Sequence, residues 1–320
     1  MNTTVPFRSI LFPTDFSKSS EAIASHAVGL AEATNTKVWI LNVVPRLEEW
    51  HGASEMYFGS VTAGLEKERK ALKEERLNIL RQFGPVSVSV TAGFEKERKA
   101  LEEERLNILR QFQASHFGSV NSEVLVRSGG VAEQIIDIAK EADIGLIMMP
   151  TQSLGRRRQF LIGSTTAKVL HDAPCPVWTS PHPRELDPFR PYRRIVLAID
   201  YRSLSGPLLI RASEFANCFG ASLSVFSAIP VAREADHQQV QKLKRDLEST
   251  LASHLSQCKV KASIRLMEGN PGDVIGEVAE DIENADLIIT GRGRLDEAAG
   301  HLQSHNYEII WNAPCPVITL

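Results

Sequence analysis

The chain has 320 residues, about twice the usual length of one domain, with 43% hydrophobic and 23% charged residues, which predicts two globular domains. Its net charge of −3 argues against a general nucleic-acid binder, and no apolar run reaches the roughly 18–20 residues that span a bilayer. The chain also lacks the pattern of a secretory signal and the cysteine spacing of a disulfide framework or zinc site, so we expect a cytoplasmic protein without membrane or nucleic-acid partners.

The first elements alternate strand, helix and strand. A β-like run starts at Arg8 and ends at Asp15, apolar residues recur at helical spacing from Ile23 onward, and Val38–Val44 is typical of a buried parallel strand. Asp15 has two interpretations at this stage. Its carboxylate can accept a hydrogen bond from a purine or ribose, or it can cap the helix that follows.

A near-identical repeat occupies the place of the next helix, at about 60–112. Ser60–Phe83 recurs 29 residues later as Ser89–Phe112, and the two copies differ at two of 24 positions, Leu65/Phe94 and Lys73/Glu102. Both copies are rich in strong helix formers and carry almost the same apolar stripe. One helix position can bury only one such stripe. The other copy must pack on the first as a hairpin, dock on a partner subunit or stay exposed.

A helix over Val131–Glu141 and a strand over Ile144–Met149 lead into a polar loop that ends at Gly163-Ser164-Thr165, where the next helix begins. Glycine, hydroxyls and free amides at a helix start can hold a phosphate. Alternatively, Ser164 is simply the helix N-cap. The run Arg156-Arg157-Arg158 either adds positive charge to this site or is a solvated loop.

The second half repeats the first. The pentapeptide Ala173-Pro-Cys-Pro-Val177 recurs as Ala313–Val317, and the strand that ends at Asp15 recurs as Arg194–Asp200. The proline-rich stretch between them predicts a linker at 182–192, with domains at 1–181 and 193–320. We therefore predict an α/β fold in which each domain is a five-stranded parallel sheet flanked by helices, with the duplicated helical insertion in the first.

Two further groups of residues point to no chemistry. His301 and His305 have a metal-ligand spacing, but no third ligand is evident nearby, so surface histidines are the simpler interpretation. Cys175 and Cys315 lie between prolines before the last strand of each half, where cysteine usually behaves as a small buried hydrophobic residue.

Several segments together resemble a universal stress protein domain. They are Ile10–Ser17, the loop from Met149 to Thr165, and the Ala173–Val177 pentapeptide. The second half resembles another such domain, so the chain is identified as a tandem member of the universal stress protein (UspA) family. The resemblance implies a Rossmann-like, adenine nucleotide alpha hydrolase-like fold, pairing of domains, and a division of members into those that bind ATP and those that do not.

Members that bind ATP carry a loop of the form G-x2-G-x9-G-[S/T]. The first half has this spacing at Pro150, Ser153, Gly163 and Ser164, followed by Thr165. Both leading glycines are replaced, by Pro150 and Ser153. The replacements weaken the match, because proline removes a backbone donor and serine resists positive φ. The resemblance also implies that Asp15 and the Val43 backbone meet the adenosine end, so the cofactor-binding residues expected in this half are Asp15, Val43, Pro150, Ser153, Gly163, Ser164 and Thr165.

The second half departs further from this pattern. Its frame runs from Thr290 through Gly293 to Gln303-Ser304, and glutamine stands where the pattern has a glycine next to the phosphates. Asp200 is retained, and Ala228 stands where Val43 stands in the first half. We expect a degenerate second site formed by Asp200, Ala228, Gly293 and Ser304.

The leading hypothesis is therefore a stress-response protein that binds ATP or AMP, with Mg²⁺ as an accompanying ion, in the first half and without rapid turnover. The alternative is a nucleotide-free interaction module whose helical insertion mediates assembly into a homodimer. Slow ATP hydrolysis ranks lowest, because the sequence shows no general base or pair of carboxylates that would hold a metal.

Overall fold

The computed structural model describes residues 7–44, 88–151, 162–180, 186–201, 206–229, 237–256, 258, 260–282, 284–292 and 305–320. Within these ranges it describes the backbone but not the side chains of 88–98, 281–282 and 305–306. No helix in the described part of the chain is long and apolar enough to cross a bilayer.

Strands and helices alternate through the first half. Its elements are β1 (Ser9–Pro13), α1 (Lys18–Thr34), β2 (Lys37–Val44), α2 (Val88–His116), β3 (Ser122–Ser128), α3 (Val131–Glu141), β4 (Leu146–Pro150), α4 (Ser164–Asp172) and β5 (Val177–Ser180).

The second half repeats this order. Its elements are β6 (Arg194–Ala198), α5 (Gly206–Phe219), β7 (Ser222–Ile229), α6 (His237–Leu255), β8 (Ala262–Glu268), α7 (Pro271–Glu277) continued by a π-helical turn (Val278–Ile282), β9 (Leu287–Thr290), α8 (His305–Asn312) and β10 (Val317–Thr319).

The ten strands form one continuous sheet in the order β3-β2-β1-β4-β5-β10-β9-β6-β7-β8. Neighbouring strands within each half are parallel, whereas β5 and β10 pair antiparallel with Ile318 opposite Trp178. The predicted α/β fold with a five-stranded parallel sheet in each half is confirmed. The joining of the two sheets through β5 and β10 was not predicted.

Helices cover both faces of the sheet. One face packs against α1, α2, α5 and α6, and the other against α3, α4, α7 and α8. Helix α1 shows how the sequence directs this packing. Ser17 caps the helix by accepting a hydrogen bond from the Ser20 amide. Ile23 and Leu30, which lie two turns apart on the helix, are both fully buried. Each such side chain contributes on the order of 2 kcal/mol by leaving water.

The second copy of the repeated segment forms most of α2. Its residues Leu109 and Phe112 are buried in the core beside α1 and β1. This copy therefore fills the position between β2 and β3 that the fold provides for one helix. The first copy, 60–83, lies outside the described residues, and its placement stays a prediction.

The segment that connects the halves packs against α1. The Trp178 indole donates a hydrogen bond of 3.1 Å to the buried Tyr192 hydroxyl, and His26 Nε2 lies 2.8 Å from the Asp187 carbonyl oxygen. Phe189 approaches α1 so closely that a Cβ at Gly29 would come within 2.0 Å of its ring. A side chain at position 29 would therefore displace this segment.

Candidate functional site

The carboxyl end of β1 is held in place by β2. The Thr14 amide donates to the Leu41 carbonyl over 2.8 Å, and the Asn42 side-chain amide donates to the Thr14 carbonyl, also over 2.8 Å. These two bonds fix the backbone just before Asp15. The peptide that carries the candidate carboxylate is therefore a rigid part of the sheet edge.

Asp15 lies exposed at this edge and also supports the start of α1. Its Oδ1 accepts hydrogen bonds from the Ser17 amide at 3.0 Å and from the Ser20 hydroxyl at 2.8 Å. Ser17, rather than Asp15, is the N-cap residue. The carboxylate is thus oriented by α1 while its position at the carboxyl edge leaves it accessible to a ligand.

Asn42 is a residue of this region that the sequence reasoning missed. It is 4% exposed, and its Oδ1 is buried without a hydrogen-bond partner among the described residues. The signal was present as one amide in the otherwise apolar run Val38–Val44. Its neighbour Val43 is half-buried on the opposite face of the strand.

The start of α4 lies directly beyond the end of β4. The Gly163 amide donates to the Thr151 carbonyl over 3.0 Å, and the Thr166 hydroxyl donates to the Pro150 carbonyl over 3.1 Å. Thr151 is fully buried and donates in turn to the Ser180 carbonyl on β5. These contacts anchor the first turn of α4 to the sheet, so its amides have a defined position.

The first turn of α4 carries no side-chain cap. Gly163 is the N-cap residue, with φ −59° and no side-chain capping bond, and Ser164 is the exposed first residue of the helix. Ser164 therefore does not act as the N-cap. The amides of a helix start have no partner within the helix, and together with the helix dipole they attract an anion.

Most of the predicted first-half residues reach one edge of the sheet. Asp15 follows β1, Val43 lies near the end of β2, and Pro150 and Gly163 meet at the end of β4, with Ser164 and Thr165 in the adjoining helical turn. Because β2, β1 and β4 are neighbours in the sheet, these positions adjoin one another. Ser153 and the run Arg156–Arg158 lie outside the described residues.

The second-half edge has a different arrangement. Asp200 is exposed after β6 and Ala228 is buried in β7, while Gly293 and Ser304 lie outside the described residues. The Ser227 hydroxyl donates to the Ile199 carbonyl over 3.0 Å, in the place that the Asn42–Thr14 bond takes in the first half.

Arg292, at the start of the second-half loop, reaches into the first half. Its guanidinium donates hydrogen bonds to the carbonyl oxygens of Ala173 and Cys175, and its amide donates to the Leu320 carbonyl over 3.0 Å. Burial lowers the Arg292 pKa, and the charge of Arg211 lowers it further. The loop that would carry the second site therefore begins as a contact between the halves.

The buried thiols are poor nucleophiles. Burial raises the pKa of Cys175 to about 11 and raises that of Cys315 further still. Both thiols are therefore protonated at neutral pH, which suits small buried hydrophobic residues. Among the described residues no group of three or more His, Cys, Asp or Glu could hold a metal ion. The side chains of His301 and His305 are outside the described part.

The universal stress protein family model matches the chain twice, at residues 6–181 and at residues 191–320. The chain belongs to the universal stress protein family. The tandem identification made from the sequence is confirmed, because each half matches the family separately. No curated protein matches the chain in sequence.

Solved structures of universal stress proteins have the same fold. One from Archaeoglobus fulgidus is 16% identical, with a TM-score of 0.56 over 98% of this chain and 96% of that one. A protein from Pseudomonas aeruginosa described as a putative universal stress protein is also 16% identical, with a TM-score of 0.57 over 98% and 93%. At this identity the likeness establishes the tandem fold alone.

Proposed function

We propose that the first half binds ATP or a related adenine nucleotide such as AMP, and that the protein is a cytoplasmic stress-response protein without rapid turnover. One observation carries this proposal. The first turn of α4 has a glycine N-cap and no side-chain cap, and it is anchored to the end of β4 on the edge where Asp15 is exposed. In open parallel sheets this edge is the usual place for a ligand.

The residues divide into two groups by chemistry. Asp15 and the Val43 backbone would hold the ribose and adenine. The amides of Ser164 and Thr165, with their hydroxyls, would hold the phosphates, and Mg²⁺ would neutralise part of the phosphate charge. Pro150 and Ser153 replace the leading glycines of the family loop, so we expect weaker binding than in members that keep both.

The second half is proposed to bind no nucleotide. The side chain of Arg292 is engaged by first-half carbonyls, and glutamine at position 303 replaces the glycine next to the phosphates. A side chain at that position would crowd a phosphate group. The expected stoichiometry is therefore one nucleotide per chain.

Direct measurement of nucleotide tests the proposal. Purified protein is denatured and its supernatant is analysed for bound nucleotide by chromatography, and ATP is then titrated into nucleotide-free protein by calorimetry. We expect one ATP per chain. Absence of nucleotide in the supernatant together with absence of heat on titration would refute the proposal.

A matched pair of glycine variants locates the site. A Cβ at Gly163 would lie 3.4 Å from the Thr151 carbonyl oxygen, an ordinary contact, so Gly163→Ala should fold normally while narrowing the approach to the helix amides. We expect its ATP affinity to fall by about tenfold or more. The control is Gly118→Ala, whose Cβ would meet the Ala114 carbonyl at the same 3.4 Å far from this edge. Equal affinities of the two variants would place the nucleotide elsewhere.

A second function, assembly through the repeated helix, is favoured by the packing of α2. Because Leu109 and Phe112 of the second copy fill the helix position, the same stripe on the first copy is available in this proposal to pack on a partner. A second copy of this chain is the proposed partner, giving a homodimer. Deletion of Ser60–Val88 followed by light scattering tests this. An unchanged molecular mass would remove the repeat as a necessary contact.

A further inference from the structure

Helix α2 extends the wall of the candidate site on the side of β2 and β3. The helix packs over these two strands, and the Glu102 carboxylate accepts a hydrogen bond of 2.6 Å from the Ser128 hydroxyl. Ser128 is the last residue of β3 and pairs with Val44 at the end of β2. Glu102 therefore marks the level of the carboxyl edge, and the 14 residues of α2 before it extend about 20 Å further.

Arg105 lies one helical turn after Glu102 and faces the segment that carries Asp15. Its guanidinium carbon is 6.0 Å from the centre of the Phe16 ring. Phe16 follows Asp15 with a φ of 61°, and its amide donates to the Thr14 hydroxyl over 3.0 Å. The Phe16 ring also packs edge-to-face against the Phe112 ring of α2, with the ring centres 5.8 Å apart.

The side chain of Arg105 is half-buried. Burial lowers its pKa, although the neighbouring charge of Glu104 raises it. No carboxylate of the described residues forms an ion pair with Arg105. An arginine stays protonated under these conditions, so its N–H donors and the face of the guanidinium turned away from Phe16 can contact a ligand.

We propose that Arg105 is a nucleotide-binding residue of the first half, and that its guanidinium contacts the adenine base. This proposal rests on the proposed function. Arg105 lies on the β2 side of Asp15, whereas the start of α4 lies on the β4 side, so the arginine belongs to the base end of the ligand. A planar guanidinium stacks on a purine and donates to its ring nitrogens, which a lysine ammonium does with poorer geometry.

The proposal assigns a binding role to one copy of the repeat. Arg76 is the equivalent residue in the first copy, and the sequence around it is nearly the same. Because the second copy occupies the helix position beside β2, only Arg105 is expected to reach the ligand. The two arginines therefore form a matched pair for mutagenesis.

Titration of ATP and of inorganic tripolyphosphate, which lacks the base, tests the assignment by calorimetry. We expect Arg105→Gln to lower ATP affinity about tenfold and to change tripolyphosphate affinity less than about twofold. Arg105→Lys should lose nearly as much ATP affinity, because it keeps the charge but not the planar group. Arg76→Gln should match the wild type, and thermal melting should show that all three variants are folded.

Several results would overturn the assignment. In Arg105→Gln, an equal loss of affinity for ATP and tripolyphosphate would indicate a phosphate contact, and an unchanged ATP affinity would indicate no contact at all. Full ATP affinity in Arg105→Lys would also overturn it. So would a loss of ATP affinity in Arg76→Gln equal to that in Arg105→Gln. If the wild type binds ATP but the Arg105 variants give one of these results, the assignment of Arg105 fails and the proposed function stands. If the wild type binds neither ligand, both proposals fail.

Discussion

Phe112→Ala should destabilise the first half strongly, whereas Phe83→Ala, the equivalent change in the first copy, should not. Phe112 is 7% exposed, and its ring packs against Phe12 at 6.3 Å and against Phe117 at 6.1 Å. Truncating a buried phenylalanine to alanine costs about 3–5 kcal/mol through lost burial and the cavity left behind. We expect a cost of about 3 kcal/mol, because the ring is not completely buried.

Urea unfolding monitored by circular dichroism measures this difference. With a slope of about 2–3 kcal/mol per molar urea, a loss of about 3 kcal/mol lowers the midpoint of the affected transition by about 1 M or more. Phe83→Ala should move it by less than about 0.3 M. If both variants lower the midpoint equally, the two copies are buried equally, and the conclusion that only one copy fills the helix position would be refuted.

Two other predictions concern the contacts between segments. Burial lowers the pKa of His26, so the unfolded chain binds a proton at this residue more readily than the folded chain does. The urea midpoint of unfolding should therefore fall as the pH drops below about 6.5. His26→Gln should remove most of this pH dependence. A variant as pH-sensitive as the wild type would contradict this. Arg292→Ala should cost about 2 kcal/mol in urea unfolding by leaving the Ala173 and Cys175 carbonyls without their donor, and Arg292→Lys should cost less. Equal costs for alanine and lysine would show that the donated bonds contribute little.

Much of the fold was predictable because its strands are continuous apolar runs. The helix expected over Val131–Glu141 has those bounds in the structure, and the strand expected over Ile144–Met149 is β4, Leu146–Pro150. The π-helical turn at Val278–Ile282 was not predictable, because its apolar spacing resembles that of an ordinary helix. The β5–β10 pairing was not predictable either, since three residues on each strand give no signal for a partner 140 residues away.

The candidate site was predictable to the extent that it follows strand ends. Asp15 and Gly163 were identified from the places where strands stop, and the structure brings both to one edge. Asn42 and Arg105 were not identified, because their importance depends on side chains from other elements. The role of Arg292 was also hidden, because a long side chain in a loop gives no indication of which carbonyl it will reach.

The antiparallel pairing of β5 with β10 has a consequence for geometry and for concentration dependence. Because the strands of the two halves run in opposite directions, the carboxyl ends of β1 and β6 lie at opposite ends of the sheet along the strand direction. A ligand beside Asp15 cannot touch the region of Asp200. Among the strands that the structure describes, β3 and β8 are the outer ones. The halves are also covalently tethered, so dilution cannot separate them from each other. The two halves are therefore present in a one-to-one ratio at every concentration.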